Sequence, residues 1–357
     1  MTPTASTRRP AQPVEPAPDA PVARVAVDVS LPHLDRPFDY LVPAALDADA
    51  VPGCRVRVRF AGKLVNGFLV ERVEQSAHTG RLARLDRVVS SEPVLTDEML
   101  RLARAVADRY AGTVADVLRL AVPPRHGAAE KRHADDPPAE AVPAPAPGPW
   151  TDYPDGPALL AALADGRAPR AAWTALPGPS WPDAVSVAMQ ATLASGRGAL
   201  VVVADGRDVA RVDAALTDRL GPGRHVALTA EAGPAARYRR WLAVRRGQVR
   251  AVVGTRAAMF APVADLGLVA LWDDGDDVHA EPHAPYPHAR EVLALRAHLS
   301  GAGFLAGGFT RTAEVARLVA AGWAHPAAAD RGTVRDAAPH VHVAGADAEM
   351  AGDEAAR

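Results

Sequence analysis

Four short apolar runs restrict the architecture of this 357-residue sequence more than any other feature. They are ALVVV (199–203), AVVG (251–254), LGLVALW (266–272) and FLAGG (304–308). Each is strand-sized and apolar on both faces. Helical patterns are interleaved with them. One has Val209, Val212, Leu216 and Leu220 on one side and stops at Gly221; others lie near Arg237–Val244 and over Ala289–Leu299. Strands without a polar face belong in a parallel sheet covered by helices on both sides. Residues 158–330 are therefore expected to form a RecA-like or Rossmann-like parallel α/β lobe.

The N-terminal pattern differs. ARVAVDV (23–29) and RVRVRF (55–60) alternate as half-buried strands do, and GFLVERV (67–73) reads as a third. A helix follows, with Thr96 as N-cap, Asp97 and Glu98 at its positive end, and Leu95, Met99, Leu102 and Val106 on one face. A second runs from Val114 to Leu120. Residues 23–123 thus read as a small, mostly-β domain with a helical end. Proline- and alanine-rich composition marks 1–22 as a disordered tail and 124–157 as a linker. The net charge of −2 gives no global field toward nucleic acid or membrane, so any DNA binding needs local patches. Cys54, the single cysteine, excludes a disulfide framework or a cysteine zinc cluster within the chain. There is no secretory h-region and no apolar run near the ~20 residues that span a bilayer, which points to the cytoplasm.

Ligands of parallel sheets sit beyond the carboxyl ends of the strands. Four such ends carry candidate chemistry. The turn Pro177-Gly178-Pro179-Ser180-Trp181-Pro182 joins a strand at 171–176 to a helix. A phosphate loop needs exposed backbone N–H groups, a lysine and a Mg²⁺-binding hydroxyl. This turn has three prolines and no lysine, so it reads as a plain connection. LWDDGDDVH (271–279) offers Asp273, Asp274, Asp276 and Asp277, either to hold Mg²⁺ or as a solvated turn around Gly275. His279, Glu281, His283 and His288 follow closely, but Pro282, Pro285 and Pro287 break the helix that would align them; a surface loop stands against a metal site. Gly254-Thr255-Arg256 presents an N–H, a hydroxyl and a guanidinium suited to a nucleic-acid phosphate.

In the N-terminal domain, Arg55, Arg57 and Arg59 share one strand face with Lys63 just beyond, either a solvated face or a phosphate-tracking surface. Phe38, Asp39 and Tyr40 form an aromatic–acid–aromatic trio. It could stack a base and cap a hydroxyl, or could be core rings flanking a turn aspartate. The arginines of RYRRWLAVRRGQVR (237–250) form a solvated helix face with Trp241 and Leu242 inward.

In this order, the segments resemble the primosomal protein N′ (PriA) family of replication-restart DNA helicases, in a divergent high-GC form, over roughly 23–123 and 158–345. The likeness rests on VAVDVSLPHLDRPFDYLVP, GCRVRVRFAGKLVNGFLV, SSEPVLTDEMLRLARAVADRYAGTVADVLRLAVPP and VVGTRAAMFAPVADLGLVALWDD. It implies a DNA-binding domain that takes the 3′ end of a nascent strand at a fork. Phe38, Asp39 and Tyr40 match its FDY element, and Gly62 and Lys63 match its turn; Phe38, Asp39 and Gly62 are implied to shape the pocket. A family lysine further on has no match, with Ala83 and Arg84 in its neighbourhood.

The second half resembles helicase lobe 1 with degenerate ATP motifs. The family's phosphate-loop lysine and threonine fall on Trp181 and Pro182. Its DEEHD falls on Trp272-Asp273-Asp274-Gly275-Asp276, so the Mg²⁺ aspartate position holds Trp272. Gly178, Ser180, Trp181, Asp273 and Asp274 are the expected remains of the site, and ATP is not expected as a cofactor. HARE (288–291) matches a later element, whereas GGFTRTAE (307–314) departs from the family's GSATP. The family's winged helix is mostly replaced by the linker. AGDEAAR ends the chain where the family continues, so the resemblance implies a truncated chain with 331–357 opening a second lobe, and zinc only in that absent part. The implied function is recognition of stalled or repaired forks and reloading of the replicative helicase without helicase activity. The alternatives are a residual ATP-dependent 3′–5′ helicase using Asp273, Asp274 and Asp276, or a metal-dependent hydrolase built on the Asp/His stretch. Implied partners are DNA forks and 3′ ends, primosome and helicase-loading proteins and single-stranded DNA-binding protein, with no membrane and a nucleoid-associated location.

Overall fold

The computed structural model describes residues 15–131 and 141–339. It begins with a five-stranded antiparallel sheet. The strands are β1 (Val22–Val27), β2 (Phe38–Leu41), β3 (Arg55–Phe60), β4 (Lys63–Val73) and β5 (Leu85–Ser90), in the order β2-β1-β4-β3-β5. Alternation does the work expected of it: Ala23, Val25, Val56 and Val58 face one core, and the arginines of β3 face away. Phe60 pairs with Lys63 across a two-residue turn, Ala61-Gly62, with φ of 46° and 82°. Two left-handed residues are what a tight hairpin needs to match strand twist, so backbone geometry alone accounts for Gly62.

Two helices close this unit. Thr96 caps α1 (Asp97–Arg109) by accepting from the Met99 N–H, and Thr113 with Asp116 forms a capping box on α2 (Val114–Ala121). The stretch read as a linker is structured at both ends. A short helix, α3 (Gly127–Glu130), buries Ala129 and Glu130, while Trp150 and Tyr153 are buried in the core of the lobe. Proline-rich composition concealed these two aromatic anchors; residues 132–140 lie outside the described residues. The tail also differs: Pro16 bridges to Pro43 and the Ala17 N–H donates to Val42 O at 2.8 Å, with 1–14 outside the described residues.

The lobe is a seven-stranded, all-parallel sheet. Its strands are β6 (Arg170–Thr174), β7 (Gly198–Val202), β8 (His225–Leu228), β9 (Ala251–Gly254), β10 (Leu266–Trp272), β11 (Gly303–Gly308) and β12 (His325–Ala328), in the order β12-β6-β11-β10-β7-β9-β8. On one face lie α4 (Gly156–Ala164), α5 (Trp181–Ala194) and α6 (Gly206–Leu220). The other carries α7 (Gly233–Arg245) and α8 (Ala289–Ser300), and α1 and α2 join the same core, uniting the two units. Beyond FLAGG come α9 (Ala313–Ala320), β12 and α10 (Arg331–Ala337), which the sequence pattern did not disclose; 340–357 lie outside the described residues.

Gly307 sits in β11 between Trp173 of β6 and Trp272 of β10, paired with both. Without a side chain there, the two indoles meet at 5.4 Å between centroids. A Cβ would stand 2.4 Å from Trp173 Cε3 and 3.3 Å from Trp272 Cε3. Gly307→Ala should therefore destabilise the lobe by about 1–3 kcal/mol, the usual cost of overpacking. Urea unfolding reads this directly; an unshifted midpoint would mean that the indoles move aside freely.

Candidate functional site

A hollow of about 580 Å³ opens where β2, the β3–β4 turn and the 77–83 loop meet. Phe38, Asp39 and Tyr40 all contribute to it, in three different ways. Phe38 packs edge-on against Phe60 at 4.8 Å, and the Arg36 guanidinium lies 4.6 Å over its ring. Asp39 is largely buried; its Oδ2 accepts from Ser76 Oγ at 2.5 Å, and Arg24 Nε stands 3.9 Å from Oδ1. Tyr40 is in the core, donating to Arg59 O at 3.5 Å, and burial pushes its phenol up to about 12. The trio thus splits: Tyr40 is a wall and has no free ring face on which to stack a base. Exposed Arg36, Arg59 and Arg81 rim the hollow with positive charge, and exposed His78 stands among them. Such a rim draws in phosphates, and Asp39 inside it can accept a hydrogen bond from a hydroxyl that follows them.

The arginine stripe also divides. Arg59 stays at the hollow, where its Nη1 donates to Gly62 O at 3.0 Å, and exposed Lys63 flanks the same turn. Arg55 leaves in the opposite direction. Its Nη2 donates to Pro123 O at 2.5 Å, its guanidinium lies 5.2 Å over Phe68, and burial pulls it below its ordinary pKa. Arg57 has a buried Nε without a hydrogen-bond partner. These three side chains therefore do not form one phosphate-tracking surface. Thr255 and Arg256 sit in the lobe. There Arg256 Nε donates to Glu281 Oε2 at 2.8 Å and Nη1 to Val278 O, so this guanidinium is engaged by its own loop. Arg24, Ser76 and Arg81 escaped the sequence reading because the β4–β5 connection, not sequence proximity, brings the last two to the hollow.

At the strand ends of the lobe, the turn after β6 keeps Gly178 at φ +124° with open space beside it, and exposed Ser180 caps nothing. Trp181, the first residue of α5, is buried. It stacks on Trp272, the last of β10, with centroids 4.2 Å apart and planes within 5°. Phe309 meets Trp272 edge-on at 5.2 Å. The cavity bordering this turn, about 850 Å³, lies between α5 and α6. Its two arginines are already paired, Arg211 with Asp208 at 3.1 Å and Arg219 with Asp183 at 2.5 Å. Asp274 is buried and accepts from both Arg290 and Thr312 at 2.7 Å, tying α8 and the loop after β11 together. Asp273 is exposed, in a left-handed conformation, and partial desolvation together with the neighbouring Asp276 raises its pKa.

The Asp/His stretch is not gathered around one point: among the described residues no group of three His, Cys, Asp or Glu is placed to hold a metal. Glu281 bonds Arg256 and His283, and His288 caps α8. His279 is fully buried, its ring 6.2 Å from that of His288, with Nε2 donating to Trp272 O at 3.1 Å. Burial holds both imidazoles below their usual pKa. Their folded values lie below the unfolded value of about 6.5, so the stability they contribute is present above that pH and is lost as pH falls through the folded values. Melting temperature should drop as pH is lowered below about 6.5, and His279→Gln should flatten the dependence. Equal slopes for the two proteins would remove His279 from the account.

The sequence profile of the PriA 3′DNA-binding domain (3′BD) matches residues 24–123. A "Probable replication restart protein PriA" of Mycobacterium tuberculosis (strain CDC 1551 / Oshkosh) is 54% identical over 313 residues, 88% of this chain and 48% of that protein. Its namesake in Mycobacterium leprae is 53% identical over 316 residues with the same coverage, and a "Replication restart protein PriA" of Treponema pallidum is 24% identical over 310 residues. The chain spans about half the length of these relatives.

Proposed function

This chain belongs to the PriA family of replication restart proteins and carries its 3′-end DNA-binding domain, and from that premise we propose a fork-recognition protein that works without turning over nucleotide. The hollow at Phe38 and Asp39 takes the 3′ end of a DNA strand. Arg36, Arg59, Arg81 and Lys63 meet the last phosphates, the exposed part of Phe38 supports the terminal nucleotide, and Asp39 accepts from the terminal hydroxyl. The lobe supplies architecture. Its strand-end site lacks a free lysine, a Mg²⁺ hydroxyl and a free buried carboxylate, the groups phosphoryl transfer depends on. By this reading the protein marks forks for reloading of the replicative helicase, alongside helicase-loading proteins and single-stranded DNA-binding protein. No helix among the described residues is long and apolar enough to cross a membrane.

The observation that carries the reading is Asp39, a held carboxylate inside a cationic rim. A carboxylate repels the phosphate that the rim attracts, so the pair favours a strand ending in a hydroxyl. ATP hydrolysis with forked DNA, run beside a helicase with an intact phosphate loop, tests the second half of the proposal. Background turnover and a fork affinity indifferent to ATP and Mg²⁺ are expected. Turnover matching the control would instead establish a residual helicase.

A further inference from the structure

Asp39 has more acceptor capacity than the fold uses. A carboxylate presents about four lone-pair positions on its two oxygens. Ser76 Oγ occupies one of them, donating to Oδ2 at 2.5 Å. Oδ1 receives no hydrogen bond from the described residues. Arg24 Nε stands 3.9 Å from it, beyond hydrogen-bond reach, and Arg24 Nη1 donates instead to Glu71 Oε2 at 2.7 Å. A terminal 3′-hydroxyl in the hollow uses one further position, so an acceptor beside it stays open for a second donor. The 2′- and 3′-hydroxyls of a terminal ribose are two such donors side by side. A carboxylate is the group that dinucleotide-binding folds set against a ribose hydroxyl, and the 2′-hydroxyl is what tells RNA from DNA.

The walls leave room for that extra oxygen. Barring a ribose takes a bulky side chain held against C2′. Three residues lining the hollow are exposed alanines, Ala61, Ala77 and Ala83. The large rings beside Phe38 are committed elsewhere: Phe60 packs edge-on against Phe38 at 4.8 Å, and Tyr40 lies in the core. We propose that the hollow also takes strands ending in a ribonucleotide and holds them more tightly than DNA ends, with Asp39 accepting from both hydroxyls of the terminal cis-diol. The inference rests on the 3′-end reading of the hollow and widens its ligand class from DNA ends to RNA ends.

The test is equilibrium binding of the full chain to forks that are DNA throughout except at the last sugar. That sugar is deoxyribose, ribose or 2′-O-methylribose, each with a free 3′-hydroxyl; a fourth fork ends in deoxyribose with a 3′-phosphate. The ribose end should bind roughly 3- to 10-fold more tightly than the deoxyribose end, the effect of one further hydrogen bond. The methylated end occupies the same space but donates nothing from O2′, and should gain nothing. In Asp39→Ala the ribose advantage should vanish. Asp39→Asn keeps the side-chain shape but has a single acceptor oxygen, so it should lose the advantage too and carries the test if the alanine variant does not fold. Ribose binding no tighter than deoxyribose overturns the proposal. So does an advantage that the methylated end shares, or one that survives in a folded Asp39 variant. If any of these occurs while the hydroxyl end still outbinds the 3′-phosphate end, this inference alone falls; loss of that discrimination as well removes the 3′-end reading of the hollow.

Discussion

Trp181→Lys with Trp272→Asp restores the family's lysine and Mg²⁺ carboxylate on paper, and it is expected to unfold the lobe rather than bring back ATP turnover. Both indoles are buried and stacked at 4.2 Å, and Trp272 also packs on Trp173 and Phe309. Removing a buried tryptophan costs about 3–5 kcal/mol, and two in contact do not add simply. Introducing two charges into the same space adds a desolvation penalty. Against a net domain stability of roughly 5–15 kcal/mol, the double variant should lose most of its cooperative unfolding transition. The turn would remain unsuited to phosphate in any case, since Pro177, Pro179 and Pro182 offer no N–H groups. A melting curve close to the parent's, or stabilisation of the variant by ATP and Mg²⁺, would show that a nucleotide site persists beneath the indoles.

Asp39→Ala should act on the other end of the molecule and on one class of ligand only. Losing a hydrogen bond to a charged acceptor costs about 1.5–3 kcal/mol, so affinity for a 3′-hydroxyl fork should fall ten-fold or more. Affinity for a 3′-phosphate fork should hold or rise, because the variant removes a repelling carboxylate. Ser76→Ala should give a smaller loss, having freed Asp39 from its 2.5 Å hydrogen bond. Phe38→Ala should weaken both forks by about 1–3 kcal/mol if the ring supports the last base. Competitive titration with the two ends separates these outcomes. Equal loss on both after Asp39→Ala would reduce Asp39 to a structural residue.

The fold was legible where one physical rule dominated. Doubly apolar runs such as LGLVALW could only be interior parallel strands, and Thr96 announced its helix by capping chemistry. Where two rules competed, composition misled. Proline- and alanine-rich surroundings masked Trp150 and Tyr153, whose burial takes precedence over the flexibility of their neighbours. Residue types in the candidate site were visible, but their partners were not. The sequence placed Arg55, Arg57 and Arg59 on one strand face, yet nothing in it shows that Pro123 takes Arg55 away while Arg59 remains at the hollow. Nor does it show that Trp181 and Trp272, 91 positions apart by their numbers (272 − 181), stack on one another. Gly307 explains how Trp272 also fits beside Trp173: a strand without side-chain bulk at that position leaves room for indoles on both neighbouring strands.

The central claim is that this chain reads DNA ends through its N-terminal hollow and needs no nucleotide to do so. One measurement meets it directly: equilibrium binding of the unmodified protein to two forks identical except for a 3′-hydroxyl or a 3′-phosphate, each with and without ATP and Mg²⁺. The account predicts about ten-fold or greater preference for the hydroxyl, unchanged by nucleotide. Equal affinity for the two ends, or a preference that arises only when ATP is present, would contradict it.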